Sequence, residues 1–155
     1  MKKENNKKIL TQSTVSRGFI NLLFKLFEEN DDWSTQNITV NCVLSNNLIK
    51  KIPYDYKREI YSKPDEIHYL HVLKFFEKGR LDWHDHKAFE DKSYVIYMDN
   101  VGGTYLKVED CLKTKFIPSK RGKIIVFDSV CSHKAINDGK IRYVAAGGIR
   151  TRPWK

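Results

Sequence analysis

The chain is short of cysteine. Its three, Cys42, Cys111 and Cys131, are odd in number, widely separated and contain no CxxC pair. That excludes a disulfide framework and a cysteine-held zinc site as the basis of the fold, and leaves the thiols as small packing groups. Long apolar runs are also missing: none approaches the roughly 20 residues that a helix needs to cross a bilayer. The basic start, Met1-Lys2-Lys3-Glu4-Asn5-Asn6-Lys7-Lys8, leads into Thr11, Gln12, Ser13 and Thr14 rather than into an apolar signal core. The expected compartment is the cytoplasm, with no membrane partner. Acidic residues are scarce: 19 Asp and Glu stand against 28 Lys and Arg, a net charge of +9. The excess favours anionic partners, nucleic acid among them, although the lysines are spread along the chain rather than gathered in one block.

What is present is a globular composition, 41% hydrophobic and 30% charged over 155 residues, which suits one domain with a real core. Residues 1–13 are polar and read as a flexible arm. Ser16 is placed to cap a helix, and Phe19, Leu22, Leu23, Leu26 and Phe27 recur at helical spacing, which predicts an amphipathic helix over 17–29. A strand is expected over 38–44. Residues 45–65, with Tyr54, Tyr56 and Tyr61 between Pro53 and Pro64, read as a short helix or a loop lid that would help choose a substrate.

From residue 66 the signals turn to β. Alternation predicts a strand over 66–76, and further short β-rich runs between turns predict strands over 81–86, 92–98, 104–108, 115–118, 123–128 and 141–149, with turns at 77–80, 99–103 and 119–122. The expected fold is mainly β with an N-terminal helix (α+β), a double-stranded β-helix of the jelly-roll or cupin-like barrel kind. Residues 14–65 would form helical and loop support, and 66–150 the barrel core.

Chemistry concentrates in Gly79-Arg80-Leu81-Asp82-Trp83-His84-Asp85-His86. On a strand, residues two apart share a face, so His84 and His86 can converge. His133, near a distant strand end, would complete a three-histidine metal site. His68 and His71, three apart on a strand, should face opposite ways and read as structural. Arg142 lies in an otherwise apolar strand (Ile141, Tyr143, Val144, Ala145, Ala146), where a charge needs a partner such as a carboxylate.

The run from Phe75 to Arg142 resembles the 2-oxoglutarate/Fe(II)-dependent dioxygenases, in particular the prolyl-4-hydroxylase-like branch. Four pieces carry the resemblance in order: the Gly79–His86 stretch, Tyr94-Val95-Ile96-Tyr97-Met98-Asp99 followed by Gly102-Gly103, Pro118 through Gly122 to Phe127-Asp128-Ser129 before His133, and Arg142 nine residues later. The resemblance implies His84 and His133 as iron ligands, and Arg142 with Tyr97 as the anchor for the distal carboxylate of 2-oxoglutarate. It also implies an O2-dependent oxidoreductase, a hydroxylase, needing Fe(II), 2-oxoglutarate as co-substrate and, as an optional reductant, ascorbate.

The departure is at the third ligand. The family has a carboxylate two residues after the first His, and this chain has His86. Three candidates stay open: His86 itself, Asp85 turned in by a bulge, and Asp82 on the face of His84. His86-Lys87-Ala88 also resembles the His-x-Ala pattern of Fe(II) halogenases. The rival is a cupin, since His84-x-His86 followed by Glu90 resembles the cupin His-x-His-x3-Glu motif and would make Glu90 a fourth ligand. A non-catalytic metal-binding barrel is the remaining class. The substrate is open among a protein side chain, a small molecule and nucleic acid.

Overall fold

The computed structural model describes residues 10–86, 90–108, 113–137 and 139–150. Cys111, residues 1–9 of the expected arm, and Lys87 and Ala88 of the halogenase-like pattern lie outside the described residues. Among the described residues ten strands follow in chain order: β1 (Leu10–Thr14), β2 (Trp33–Ser34), β3 (Thr39–Ser45), β4 (Ile67–His84), β5 (Lys92–Tyr97), β6 (Gly103–Val108), β7 (Lys113–Pro118), β8 (Lys123–Asp128), β9 (His133–Ile136) and β10 (Arg142–Ile149). The α-helices α1 (Arg17–Glu29) and α2 (Tyr54–Ile60) precede most of the sheet. The strands pair antiparallel in the order β1-β8-β5-β10-β4-β9-β6-β7, with β3 joined to β4 and β2 to β3. The sheet curls into the jelly-roll half-barrel of a double-stranded β-helix, mainly β as the strand pattern predicts.

Alternation sorts the strand side chains onto two faces, and both are covered. Leu70 and Val72 of β4, Ile96 of β5 and Ile124 of β8 face outward, onto Phe19, Ile20, Leu23 and Leu26 of α1. Leu73, Phe75, Val95, Tyr97, Ile125 and Phe127 face into the barrel. This two-sided burial is why β5 is buried from Ser93 to Tyr97 without a break. Helix α1 starts where Ser16 Oγ accepts from the Phe19 N–H at 3.2 Å. The free edge at β7 carries exposed Lys113, Thr114 and Lys115, charges that discourage pairing with another chain. No described helix is long and apolar enough to cross a membrane.

Three expectations are corrected. Residues 77–80 do not turn the chain. They lie inside the continuous β4, where Cys42 pairs with Phe75 but Val40 with Arg80, so β4 carries three more residues than β3 between those pairs. The extra residues form a bulge, with Lys78 at φ +62° and Asn41 opposite at φ +49°. A Cβ on Gly79 would lie 2.3 Å from the Asn41 carbonyl oxygen, so the glycine permits this close backbone approach. Residues 10–13, placed in the arm by their polarity, are strand: β1 pairs with β8 from Leu10 opposite Phe127 to Thr14 opposite Lys123. Of the two readings of residues 45–65, the short helix holds, as α2 (Tyr54–Ile60), and the lid does not. Tyr56 stacks on Phe19 with centroids 5.1 Å apart, and the cavity described below is lined by no residue of that segment.

Candidate metal centre

Strand register builds the centre. His84 ends β4 and stands directly opposite His133, the first residue of β9. Cross-strand partners hold their Cβ atoms roughly 5 Å apart, close enough for two rings to share an ion. His86 lies past the end of β4, where its N–H donates to the Ser129 carbonyl at 3.0 Å. Ring centroids are 5.0 Å apart for His84 and His86, 4.2 Å for His84 and His133, and 5.3 Å for His86 and His133. One nitrogen from each ring lies within 4.8 Å of the others.

In each ring Nδ1 is already engaged. Nδ1 of His84 lies 2.7 Å from the Asp82 carbonyl oxygen, and Nδ1 of His133 lies 3.2 Å from that of Cys131. Nδ1 of His86 lies 3.2 Å from the Tyr69 hydroxyl. Carbonyl oxygens only accept, so Nδ1 of His84 and of His133 carries the proton, and Nε2 keeps the lone pair that a metal needs. Ligating histidines characteristically hold their second nitrogen in this way, so the donor set fits a metal ion.

Burial pushes the His133 pKa well below its ordinary 6.5, helped by His84 and His86, and burial also lowers His84. Both rings therefore stay neutral in the folded chain at pH values where the unfolded chain takes up protons. Where the unfolded state binds more protons, stability rises with pH. The metal-free protein is thus expected to lose stability as pH falls below 6.5. Its melting temperature should be lower at about pH 5.5 than at about pH 7.5, and His133→Gln should flatten the dependence. Identical slopes in the two proteins would refute this account.

The three histidines sit on a cavity of about 530 Å³ with a mostly apolar lining, including Leu44, Leu73, Phe75, Val95, Phe127 and Val144. Arg142, at the start of β10, is fully buried in its wall. The guanidinium lies 5.0 Å from the Phe75 ring centroid and 5.8 Å from that of Tyr97, and Nη1 donates to the Ile136 carbonyl at 3.2 Å. Tyr97 is buried beneath it and does not line the cavity; its hydroxyl donates to Thr104 Oγ1 at 2.8 Å. Burial raises the Tyr97 pKa, so the phenol stays protonated. Thr104 does line the cavity.

The structure also places the other candidates. Asp82 is exposed and pairs with Arg80 at 2.9 Å. Asp85 is half-buried and lines the cavity, and among the described residues the metal-holding group comprises the three histidines alone. Glu90 is buried on the Nδ1 side of His86, with Oε2 3.5 Å from that nitrogen. His68 and His71 both line the cavity, contrary to simple alternation. The pairing of β10 with β4 steps from Gly148–Tyr69 to Ile149–Ile67, leaving His68 as an extra residue that the bulge re-aims. His71 Nδ1 lies 2.7 Å from the Ser45 carbonyl oxygen. Sequence reasoning missed Thr104 and Tyr69, whose only signal was an inward place in the strand alternation.

No family model matches the chain, and no curated protein does. Solved structures do. A prolyl-4-hydroxylase from Pseudomonas putida matches with a TM-score of 0.72 at 12% identity, over 97% of this chain and 96% of that one. HygX from Streptomyces hygroscopicus, with nickel and 2-oxoglutarate bound, matches with a TM-score of 0.69 at 8% identity, over 100% and 91%. A prolyl hydroxylase from Trichoplax adhaerens, in complex with a hypoxia inducible factor oxygen degradation domain peptide, matches with a TM-score of 0.67 at 10% identity, over 92% and 84%. At such identities the likeness is one of fold, and the fold is that of prolyl-4-hydroxylases and other 2-oxoglutarate/Fe(II) oxygenases.

Proposed function

We propose that the chain is an Fe(II)- and 2-oxoglutarate-dependent oxygenase, a hydroxylase, acting as one unit whose barrel, residues 66–150, carries the site. The supporting observation is the convergence of His84, His86 and His133 on a cavity with Arg142 buried in its wall. The three Nε2 atoms would hold the iron. Fe(II) and 2-oxoglutarate, when bound, would supply O2-dependent oxidation of a substrate C–H bond, coupled to conversion of the keto acid to succinate and CO2.

The chain's own groups do the rest. Arg142 presents a planar, permanently charged fork suited to a carboxylate, in surroundings of low dielectric where that attraction is strong. Because Thr104 Oγ1 accepts from Tyr97, its own proton is left to donate into the cavity. Tyr97 then acts through Thr104, rather than by touching the co-substrate itself. Phe75, Phe127, Val95 and Val144 keep the chamber apolar and exclude water. Gln36 and Ile38, which precede β3, and Arg150, which follows β10, also line the cavity and are the groups that meet a substrate. A protein side chain, a small molecule or a nucleobase remains compatible with it.

A second reading is a cupin-type metalloenzyme, which the three histidines and the nearness of Glu90 also favour. It requires the Glu90 carboxylate to leave Tyr69 and Ser93 and come round to the metal side of His86. Anaerobic protein loaded with Fe(II), then given 2-oxoglutarate, O2 and ascorbate, should release succinate above a His133→Ala control. Metal binding without 2-oxoglutarate binding would favour the cupin. Binding of both, with no succinate for any substrate class, would favour a non-catalytic barrel.

A further inference from the structure

Three histidines leave the centre one negative charge short of a two-histidine, one-carboxylate set. The structure places a carboxylate directly behind the substituted position. Glu90 is 4% exposed and its side chain is fully enclosed. Tyr69 donates its hydroxyl proton to Oε1 at 2.8 Å, and Ser93 donates to Oε2 at 2.6 Å. Its main chain is fastened as well: the Glu90 N–H donates to the His86 carbonyl at 3.2 Å, and Ser129 Oγ donates to the Glu90 carbonyl. Room for the carboxylate comes from Gly148, where a Cβ would lie 2.4 Å from Oε1.

The direction of these bonds can be worked out. An ionised carboxylate only accepts. The Tyr69 proton therefore points to Glu90, and the Tyr69 oxygen, 3.2 Å from His86 Nδ1, is left to accept. His86 must then carry its proton on Nδ1 and its lone pair on Nε2. His84 and His133 rest on main-chain carbonyls, which are neutral. His86, at the position where the resembled family has a carboxylate, has the Glu90 carboxylate behind its Nδ1.

We propose that Glu90, through Tyr69 and by its own charge 3.5 Å from Nδ1, is the positioning residue for His86. It fixes the tautomer and ring orientation, makes His86 a stronger donor, and returns to the centre, one layer out, the charge that a ligating carboxylate would have brought. This rests on the three-histidine metal site proposed above. Carboxylates that accept from a ligating histidine raise its basicity, and their loss typically weakens metal binding by about 10–100-fold.

The test is anaerobic titration of the metal-free protein with Co(II), together with the Fe(III)/Fe(II) potential of the iron-loaded form. Wild type, Glu90→Gln, Glu90→Asp and Tyr69→Phe are compared, with thermal melting of each metal-free protein as the folding control. Glu90→Gln keeps shape and removes charge. It should weaken Co(II) binding by about 10–100-fold and raise the potential. Glu90→Asp should recover part of both. Tyr69→Phe, which keeps the charge and breaks the relay, should weaken binding less and move the potential less, and it serves if Glu90→Gln does not fold. Wild-type affinity and potential in both Glu90→Gln and Tyr69→Phe would overturn the proposal while leaving the metal site standing. X-ray absorption showing a carboxylate on the wild-type metal would overturn it in favour of Glu90 as a ligand. A wild-type protein that binds no Co(II) or iron would overturn the metal site itself, and this proposal with it.

Discussion

His133→Ala is expected to abolish tight metal binding, and with it any succinate release. The loss should exceed the roughly 100-fold that removal of an outer partner can cause, because a donor atom itself is lost. His133 is the member best fixed in place: it is buried, opposite His84 in the strand register, and packed edge-on to Phe127 with centroids 4.8 Å apart. Two histidines, one on a strand end and one beyond it, cannot enclose an ion from the β9 side. The substitution also empties space in the barrel, at a cost on the order of 1–3 kcal/mol by the usual range for buried groups. Circular dichroism and melting of the metal-free variant therefore belong beside a Co(II) titration, so that a folded protein without affinity is distinguished from an unfolded one. His84→Ala should match the loss. A folded His133→Ala protein that binds Co(II) as wild type does would remove the three-histidine centre.

How far the centre and its scaffold can be read without coordinates depends on how local each feature is. Helix α1 is legible to the residue because its cap, apolar stripe and acidic end lie within one segment. Strands β5 and β8 are legible because each is a short, nearly continuous apolar run of β-branched and aromatic residues, followed or preceded by a glycine turn. The bulge in β4 is not, since Glu77-Lys78-Gly79-Arg80 has the composition of a hairpin turn; only the pairing with β3 makes it a bulge. Strand β1, Leu-Thr-Gln-Ser-Thr, lacks an apolar alternation and owes its form to the ladder with β8. His84 and His86 announce themselves by spacing, but the opposition of His84 to His133 is a register fact linking residues 49 apart. The work assigned here to Glu90 and Thr104 depends on which atom faces which, and sequence order does not encode that.

Arg142 should separate ligand binding from stability. Arg142→Met keeps the length of the side chain and its contact with the Phe75 and Tyr97 rings while removing the fork. Two charge-assisted hydrogen bonds to a carboxylate in an apolar cavity contribute on the order of 3 kcal/mol together, so 2-oxoglutarate affinity should fall by more than about 100-fold. Arg142→Lys should recover only part, since an ammonium keeps the charge but loses the bidentate geometry. The metal-free protein should not melt earlier. Burying a guanidinium carries a desolvation cost, and replacing a buried charge by an apolar side chain of similar volume is often neutral or stabilising. The loss of the bond to the Ile136 carbonyl offsets part of that gain. The measurement is calorimetric titration of Co(II)-loaded protein with 2-oxoglutarate, paired with thermal melting. Equal affinity in wild type and Arg142→Met would end the assignment of Arg142 as the carboxylate anchor. A large fall in melting temperature with little change in affinity would make it a structural residue.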